Sequence, residues 1–294
     1  MQGIPASTSI ATPPFAVLGR HVVASHQAEG GYTPGWRGVL TLDDGSTAFV
    51  KMGGASVRRE ALVLGFLEQQ GGFPFAPRLL DFIDGEVSTL VLEDLSSAYW
   101  PTPYPADLEP LFAALDEVGK VDAPPDLDAL EDWDDGRSSR WARVAADPAA
   151  FLSLGVCSAE WLEANVGALI EAEECVDLSG TKLVHNDVHS GNVCFPDGRA
   201  VLTDWATAAR GNPDLDVAFA IVSVRAEGGR LPRRRLLEDE GAWSARLAGH
   251  NAVEASSPMP DWAEPGSTLR LEQLEDLRVA LPWAARASGL EPPR

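Results

Sequence analysis

Positive charge is scarce in this sequence, and lysine is scarcer still. The chain has 23 lysine and arginine residues against 44 aspartate and glutamate residues, which gives a formal net charge of -21. Such a charge argues against nucleic acid as a partner, because it repels phosphate backbones. Only three of the cations are lysines, and each is therefore worth explaining: they are Lys51, Lys120 and Lys182.

Cysteine and long hydrophobic runs are also scarce. The three cysteines, Cys157, Cys175 and Cys194, are widely spaced and odd in number, which favours reduced thiols over a disulfide framework or a zinc site. No apolar run is long enough to span a bilayer. The N-terminal segment lacks the basic start and the uninterrupted apolar core of a secretory signal. These absences predict a cytoplasmic protein without a membrane partner.

The most informative segment is a His-x-Asp-x-x-x-x-Asn motif formed by His185, Asp187 and Asn192. Asp204 follows after Pro196-Asp197-Gly198, a turn sequence between two short apolar runs. A hairpin here would bring Asp204 back beside Asn192. In protein kinases this spacing supplies an aspartate that accepts the proton of the substrate hydroxyl. The other two side chains supply oxygen ligands to Mg2+ on the nucleotide phosphates.

Two other interpretations of this motif remain open. His185, Asp187 and His189 together could form the centre of a metal hydrolase, because imidazole and carboxylate groups both bind transition metals. The same residues could also be turn residues without chemistry. We favour the kinase interpretation, because further segments of the chain match what a kinase needs.

A kinase requires a lysine that holds the nucleotide phosphates and a glutamate that orients this lysine. Lys51 ends a strand-like run that starts at Thr47. Its compact ammonium suits a phosphate in a way that the planar guanidinium group of arginine does not reproduce. Glu60 lies in the first turn of a segment with helical periodicity, where we expect it to pair with Lys51. The alternative is an acid on the solvated face of a helix.

A glycine-rich segment lies between two strand-like runs upstream of Lys51. Glycines let backbone amides approach a phosphate closely, and the candidate nucleotide contacts are Gly30, Gly31, Tyr32 and Thr33. The glycines do not follow the order Gly-x-Gly-x-x-Gly, so a plain hairpin loop is the alternative. The sequence contains no Gly-x-x-x-x-Gly-Lys-Ser/Thr motif, which argues against a P-loop enzyme.

The next candidate is the segment that would join two lobes. The apolar run from Ser88 to Leu92 ends in Glu93, Asp94 and Leu95. In a bilobal kinase the joining segment offers backbone groups to the adenine ring. We therefore assign Glu93, Asp94 and Leu95 as the candidate hinge.

Acidic residues are concentrated between residues 101 and 136, where eleven acids face one lysine, Lys120. They could form a wall that attracts a cationic substrate. They could also be solvated surface, which is the usual role of a run of charges and the interpretation that we favour.

Taken together, residues 30–216 resemble the aminoglycoside phosphotransferase and choline-kinase-like family. The likeness is strongest in the loop from His185 to Asn192 together with Asp204. Within it, His189-Ser190-Gly191-Asn192 looks like the His-x-Gly-Asn of these small-molecule kinases, and Asp204-Trp205 stands where protein kinases carry Asp-Phe-Gly. The resemblance implies an α+β, bilobal protein-kinase-like fold with a small antiparallel-sheet lobe and a larger, mainly helical lobe. We expect residues 1–95 to form the N-terminal nucleotide-binding lobe, and residues 96–294 the C-terminal catalytic and substrate-binding lobe. The resemblance also implies that Asp216 is structural and caps a helix.

The implied activity is an ATP- and Mg2+-dependent transfer of phosphate to a hydroxyl of a small molecule, with GTP as an alternative donor. An antibiotic or a related natural product is the favoured acceptor. The alternatives are a primary metabolite, such as a sugar, a choline-like amine or a homoserine-like alcohol, and a non-catalytic nucleotide-binding regulator. Asp187 would be the base, Asn192 and Asp204 the metal ligands, and the oligomeric state is open.

Overall fold

The structure is a computed structural model, and it describes residues 13–28, 35–101, 103–133, 138–261, 263 and 266–293. Antiparallel strands form the N-terminal part of this described chain, and helices form most of the remainder. The predicted α+β, bilobal arrangement is therefore confirmed. The division between residues 95 and 96 stays a prediction.

The N-terminal part is built on one six-stranded antiparallel sheet, with the strand order β1-β2-β3-β4-β6-β5. Alternating sequence explains its inner strands, because every second side chain of β3 is buried. Leu40, Val50 and Val91 are fully buried in the small core that results. The strands are β1 (Ala16–Val17), β2 (Arg20–Gln27), β3 (Trp36–Leu42), β4 (Thr47–Gly53), β5 (Leu79–Ile83) and β6 (Ser88–Leu92).

One helix, α1 (Ala55–Gln69), covers this sheet. Its buried face includes Val57, Leu64 and Leu67, which recur at helical spacing and pack toward β4, β5 and β6. The chain leaves the helix through Gly71 and Gly72, both with positive φ, a conformation that glycine adopts without steric cost. The helical segment predicted around Glu60 is thus confirmed.

The C-terminal part contains the larger core, in which Trp141, Phe112 and Trp205 are among the largest fully buried side chains. Ser158 caps the helix that starts at Ala159, since its Oγ accepts a hydrogen bond from the Trp161 amide at 3.1 Å. The helices of this C-terminal part are α2 (Glu109–Val118), α3 (Arg140–Ala146), α4 (Ala149–Leu152), α5 (Ala159–Glu174), α6 (Asp214–Ala226), α7 (Glu240–Ser256) and α8 (Leu269–Ala287). Among the described residues, none of these helices combines the length and the apolar character that crossing a bilayer requires.

Four short strands carry the His-x-Asp-x-x-x-x-Asn segment: β7 (Lys182–Val184), β8 (Val193–Cys194), β9 (Val201–Leu202) and β10 (Ala209–Gly211). Strands β8 and β9 form the predicted hairpin, with Val193 opposite Leu202. The turn at Pro196–Gly198 places Asp197 at φ 52°, which an aspartate tolerates better than most residues. This hairpin fixes the two ends of the candidate site against each other.

Candidate active site

The hairpin places the candidate metal ligands side by side. The amide of Thr203, next to Asp204, donates to the carbonyl oxygen of Asn192 at 2.8 Å. Asp204 itself has the left-handed backbone angles φ 63° and ψ 67°. The predicted return of Asp204 to Asn192 is confirmed.

Asp187 and Asn192 are joined directly across the loop. The Asn192 Nδ2 donates to the Asp187 Oδ2 at 2.9 Å and to the Asp187 carbonyl oxygen at 3.0 Å. These bonds use the nitrogen of the amide, so the oxygen is the atom that Asn192 has left for a cation. The Asp187 carboxylate remains 45% exposed.

Lys51 joins the sheet to the loop region through two ion pairs. Its Nζ lies 2.8 Å from the Glu60 Oε2 and 3.0 Å from the Asp204 Oδ1. Burial disfavours the charged ammonium, but the attraction of the two carboxylates outweighs it and raises the pKa of Lys51. The predicted Lys51–Glu60 pair is present, and Glu60 is only 1% exposed. The alternative of a solvated helix acid is therefore excluded.

Asp204 is the most accessible member of this group. Its side chain is 44% exposed. Partial burial acts to raise the pKa of the Asp204 carboxyl, but the attraction of the neighbouring Lys51 has the opposite effect and is stronger. The pKa of Asp204 is therefore lowered overall. Asp204 is consequently an anion in the cleft at neutral pH, as a ligand of a hard cation must be.

His185 is turned away from this cleft. It is fully buried, and its Nε2 contacts the Thr203 carbonyl oxygen at 2.8 Å while its ring packs edge-on against Trp205 at 4.6 Å. Burial lowers the pKa of His185 and favours the neutral ring. His189 is half exposed, with its Nε2 3.8 Å from the Asp187 Oδ1. The metal-hydrolase alternative fails, because its three side chains do not converge, and among the described residues no cluster of three His, Cys, Asp or Glu side chains suits a metal.

The hinge candidates follow directly after β6. The Glu93 carboxylate accepts from the Arg78 amide at 2.9 Å, and the Asp94 carboxylate accepts from the Ser96 amide at 2.9 Å. The Leu95 carbonyl accepts from the Ala98 amide at 3.0 Å and from the Trp100 indole at 3.1 Å. The two acidic side chains therefore shape the turn.

Four of the candidate nucleotide contacts lie outside the described residues: Gly30, Gly31, Tyr32 and Thr33. The strands on either side of them are described. Gln27 pairs with Gly38 across β2 and β3, and the Ala28 amide donates to the Arg37 carbonyl oxygen at 2.9 Å. The glycine-rich segment thus connects two neighbouring antiparallel strands, next to the strand that carries Lys51.

The family follows from comparison with known proteins. Residues 39–253, well over half of the chain, match the profile of the phosphotransferase enzyme family. The chain belongs to this family. Membership makes the protein a small-molecule phosphotransferase, and the predicted family and enzyme class are confirmed.

Solved structures share the fold of this phosphotransferase. An aminoglycoside phosphotransferase from Alicyclobacillus acidocaldarius is 14% identical, with a TM-score of 0.57 over 98% of this chain and 96% of that one. A choline/ethanolamine kinase family protein from Mesorhizobium loti is also 14% identical, with a TM-score of 0.57 over 90% of this chain and 91% of that one. No curated protein sequence matches significantly. The two structures therefore support the protein-kinase-like fold alone.

Sequence patterns did not identify one cation in the cleft of this phosphotransferase. Arg37 in β3 is the direct partner of Lys51 in β4, so both side chains start from the same face of the sheet. Arg37 lines the same cleft as Lys51 and Asp204. Both cations lower the pKa of the Asp204 carboxyl, and Lys51 lowers it more than Arg37 does. Only the register of β3 against β4 reveals this pairing, and the sequence alone did not give that register.

Helix α6 holds both ends of the loop that carries Asp187. The Asp216 carboxylate accepts from the amides of His185 and Asn186 at 2.7 and 2.8 Å. Farther along α6, the Ser223 Oγ accepts from the Ser190 amide at 3.1 Å. The prediction that Asp216 caps a helix is wrong, because its buried side chain points into the loop. The position before α6 is occupied by Pro213 instead.

A prediction about stability follows from Asp216. Burial raises the pKa of its carboxyl to about 7, well above its unfolded value of about 3.9. The native state therefore binds more protons in this interval, and this group's stabilising contribution is lost as the pH rises from about 4 to about 7. Asp216→Asn lacks this titration. We expect the wild-type advantage over Asp216→Asn in urea unfolding to be smaller at about pH 7.5 than at about pH 5, and an equal advantage at both would contradict the shift.

The nine acids that the structure describes between residues 101 and 136 are all exposed, which agrees with the favoured interpretation as solvated surface. Several pair with cations from other elements: Asp122 lies 2.8 Å from the Lys182 Nζ, Asp116 lies 3.0 Å from Arg234, and Asp128 lies 2.5 Å from Arg59. Asp134 and Asp135 lie outside the described residues. The partners are distant in sequence, so local charge counting could not reveal them.

Proposed function

We propose that this phosphotransferase transfers the terminal phosphate of ATP, as its Mg2+ complex, to a hydroxyl group of a small molecule. The observation that carries the proposal is that the β8–β9 hairpin brings two groups of residues together. Lys51, Glu60 and Asp204 are joined by ion pairs of 2.8 and 3.0 Å. Asp187 and Asn192 are joined by a hydrogen bond of 2.9 Å, and the β8–β9 hairpin fixes them beside Asp204.

In this proposal Asp187 orients the acceptor hydroxyl and accepts its proton. The carboxylate is half exposed, so a hydroxyl can approach it. The hydrogen bond from Asn192 holds one carboxylate oxygen in place. The other oxygen is then available to the substrate, which is the arrangement that a positioned general base needs.

The donor atoms suit magnesium. Asp204 offers an exposed carboxylate, and Asn192, whose backbone pairs with the neighbouring Thr203, offers an amide oxygen. Both are hard oxygen ligands of the kind that Mg2+ prefers. When bound, Mg2+ neutralises charge on the transferring phosphate. Lys51 holds the phosphates from the sheet side, and Glu60 keeps the ammonium oriented.

The nucleotide base would lie against the hinge residues Glu93, Asp94 and Leu95. It would use backbone groups other than the Glu93 amide and the Leu95 carbonyl oxygen, which are already hydrogen-bonded. GTP is kept as an alternative donor. The glycine-rich segment Gly30–Thr33 would cover the phosphates with backbone amides. We also propose the division of the chain into lobes at residues 95 and 96, with the acceptor held by the C-terminal lobe.

We propose an antibiotic or a related natural product as the acceptor, since a solved structure with the same fold is an aminoglycoside phosphotransferase. The decisive experiment incubates the protein with ATP, Mg2+ and a panel of hydroxylated antibiotics, sugars and amino alcohols, and detects a gain of one phosphoryl group by mass spectrometry. Calorimetric titration with MgATP runs in parallel. Binding of MgATP without transfer to any acceptor or to water would favour a non-catalytic regulator, and failure to bind MgATP would contradict the proposal.

Arg37 yields a prediction about nucleotide affinity. We expect Arg37→Met to raise the Michaelis constant for MgATP about tenfold, because a charged hydrogen bond contributes about 1.5–3 kcal/mol. The substitution also leaves Lys51 as the one lysine or arginine among the described cleft-lining residues, beside the acids Glu60 and Asp204. Arg20→Met is the matched control: Arg20 lies in the same sheet but pairs with Asp43 and Asp44 at the surface. Equal effects of the two substitutions on the Michaelis constant would show that Arg37 does not contact the phosphates.

A further inference from the structure

Arg59 reaches from the small sheet lobe to the helical part of the chain. It lies on α1 directly before Glu60, and its Nη2 is 2.5 Å from the Asp128 Oδ2. The Nη1 donates to the Ala208 carbonyl oxygen at 3.4 Å. The guanidinium carbon also lies 5.0 Å from the centre of the Trp133 ring, within the range of a cation–π contact. One side chain of α1 therefore has three partners outside the sheet lobe.

These partners are themselves fixed to the helical part. The Arg210 amide donates to the Asp128 carbonyl oxygen at 2.9 Å, and Ala129 forms a bridge with Arg210, the central residue of β10. Leu130, which follows, is buried in the main core. Asp128 is thus an anchored partner and not a mobile surface acid, although its side chain is 55% exposed.

The position of α1 decides whether Glu60 can serve Lys51. Helix α1 packs against the turn Trp205–Thr207 that follows Asp204, and Glu60 and Asp204 share Lys51 as their ion-pair partner. Ala208, a partner of Arg59, ends the same turn. Arg59 and Glu60 therefore fasten one turn of α1 to the segment that presents Asp204.

The neighbouring arginine, Arg58, makes its described contacts within the sheet lobe. Arg58 pairs with Asp84 at 2.8 Å and donates to the Gly85 carbonyl oxygen at 2.5 Å. Both partners lie in the connection between β5 and β6 and belong to the sheet lobe. Arg58 and Arg59 are thus adjacent residues of equal charge on one helix, and of the two only Arg59 contacts the helical part in the described chain.

We propose that Arg59 is a positioning residue that holds α1 against the helical lobe and so keeps Glu60 paired with Lys51. This inference rests on the proposed function of the Lys51–Glu60 pair. Without the Arg59 contacts, α1 spends part of its time away from this position. MgATP then binds a smaller competent fraction of the protein, which raises the apparent dissociation constant in proportion. Saturating MgATP restores the competent position, so the maximal rate recovers.

The test compares Arg59→Met, Asp128→Asn and their combination with Arg58→Met as the control. The readouts are the affinity for MgATP by calorimetry, and kcat and KM for MgATP from ADP release with water as the acceptor. We expect Arg59→Met to raise KM about two- to thirtyfold, the range known for residues that couple sites without touching ligand. Asp128→Asn should have a smaller effect in the same direction, and Arg59→Lys should retain part of the affinity.

Three features identify positioning as the cause. In Arg59→Met, kcat should stay within about twofold, as for a substitution outside the reacting groups. The double variant should not exceed the effect of Arg59→Met, because the two residues act through one contact. Arg58→Met should leave KM within about twofold. A KM unchanged in Arg59→Met, multiplying effects in the double variant, or an equal rise in Arg58→Met would each overturn the proposal.

Glu60→Gln separates this inference from the proposed function. It should lower kcat even at saturating MgATP, since it removes a charge from the Lys51 pair itself. If Glu60→Gln lowers kcat while Arg59→Met behaves as wild type, only the inference about Arg59 fails. If Glu60→Gln leaves kcat unchanged, the role proposed for the Lys51–Glu60 pair fails, and the inference about Arg59 fails with it.

Discussion

Replacing Asp187 with asparagine should reduce phosphoryl transfer by about 100-fold or more while MgATP binding stays near the wild-type level. Positioned proton transfer contributes about 100- to 10,000-fold to a rate, and asparagine cannot accept the proton. The substitution preserves shape, and its side-chain oxygen can still accept the hydrogen bond that the Asn192 Nδ2 donates at 2.9 Å. The loss should therefore appear in kcat, with the calorimetric affinity for MgATP as the second measurement.

The control for this substitution is Asp197→Asn in the turn of the same hairpin. Asp197 has φ 52°, a conformation that asparagine also adopts readily, and it lies at the far end of the hairpin from Asp204. Its replacement should leave kcat unchanged within about twofold. Near-normal turnover of Asp187→Asn would remove Asp187 from the role of base, and a similar loss in both variants would indicate a defect of the hairpin instead.

The sequence predicted the parts of the site in which the functional residues and the turns that position them lie close together along the chain. Asp187 and Asn192 share one loop, and the turn at Pro196–Gly198 fixes how the chain returns to Asp204. The register of a short hairpin is set by its turn. Lys51 and Glu60 are nine residues apart, at the end of a strand and the start of a helix, so their pairing also follows from local periodicity.

The contacts that the sequence did not predict connect distant segments. Arg59 and Asp128 are 69 residues apart, and Asp216 lies about 30 residues from the loop that it holds. A tertiary contact between such distant residues produces no periodic pattern in the sequence. Asp216 shows the consequence: a carboxylate near the start of a helix suggests a cap, yet two unpaired loop amides were the stronger partners once the fold brought them close.

The charge of the cleft also depends on contacts between distant segments and could not be predicted from the sequence. A net charge of -21 makes an anionic nucleotide an unexpected ligand. In the folded chain, however, Arg37 and Lys51 meet as direct partners on adjacent strands of one sheet face, and several acids of residues 101–136 pair with arginine or lysine elsewhere. The local field in the cleft therefore differs from the average over the chain, and only the register of the sheet shows it.

Replacing Asp204 with asparagine should weaken MgATP binding by about 100-fold and leave the binding of metal-free ATP unchanged or slightly tighter. Even groups that act behind a metal ligand cost about 10- to 100-fold in metal affinity when they are removed, and a charged ligand should reach the upper end. Asp204 also lies 3.0 Å from the Lys51 Nζ. Its neutralisation frees that ammonium for a phosphate and removes a negative charge beside it, which favours an anionic ligand without metal.

Glu60→Gln provides the contrast for this prediction. It weakens the other ion pair of Lys51, at 2.8 Å, without removing a candidate metal ligand. Its effect on affinity should therefore be similar for MgATP and for ATP in the presence of a chelator. Titrations of both variants under both conditions give four comparisons with wild type. The assignment of Asp204 requires a metal-dependent loss in Asp204→Asn alone, and equal losses with and without Mg2+ in that variant would place Asp204 with the phosphate-binding residues and not with the metal.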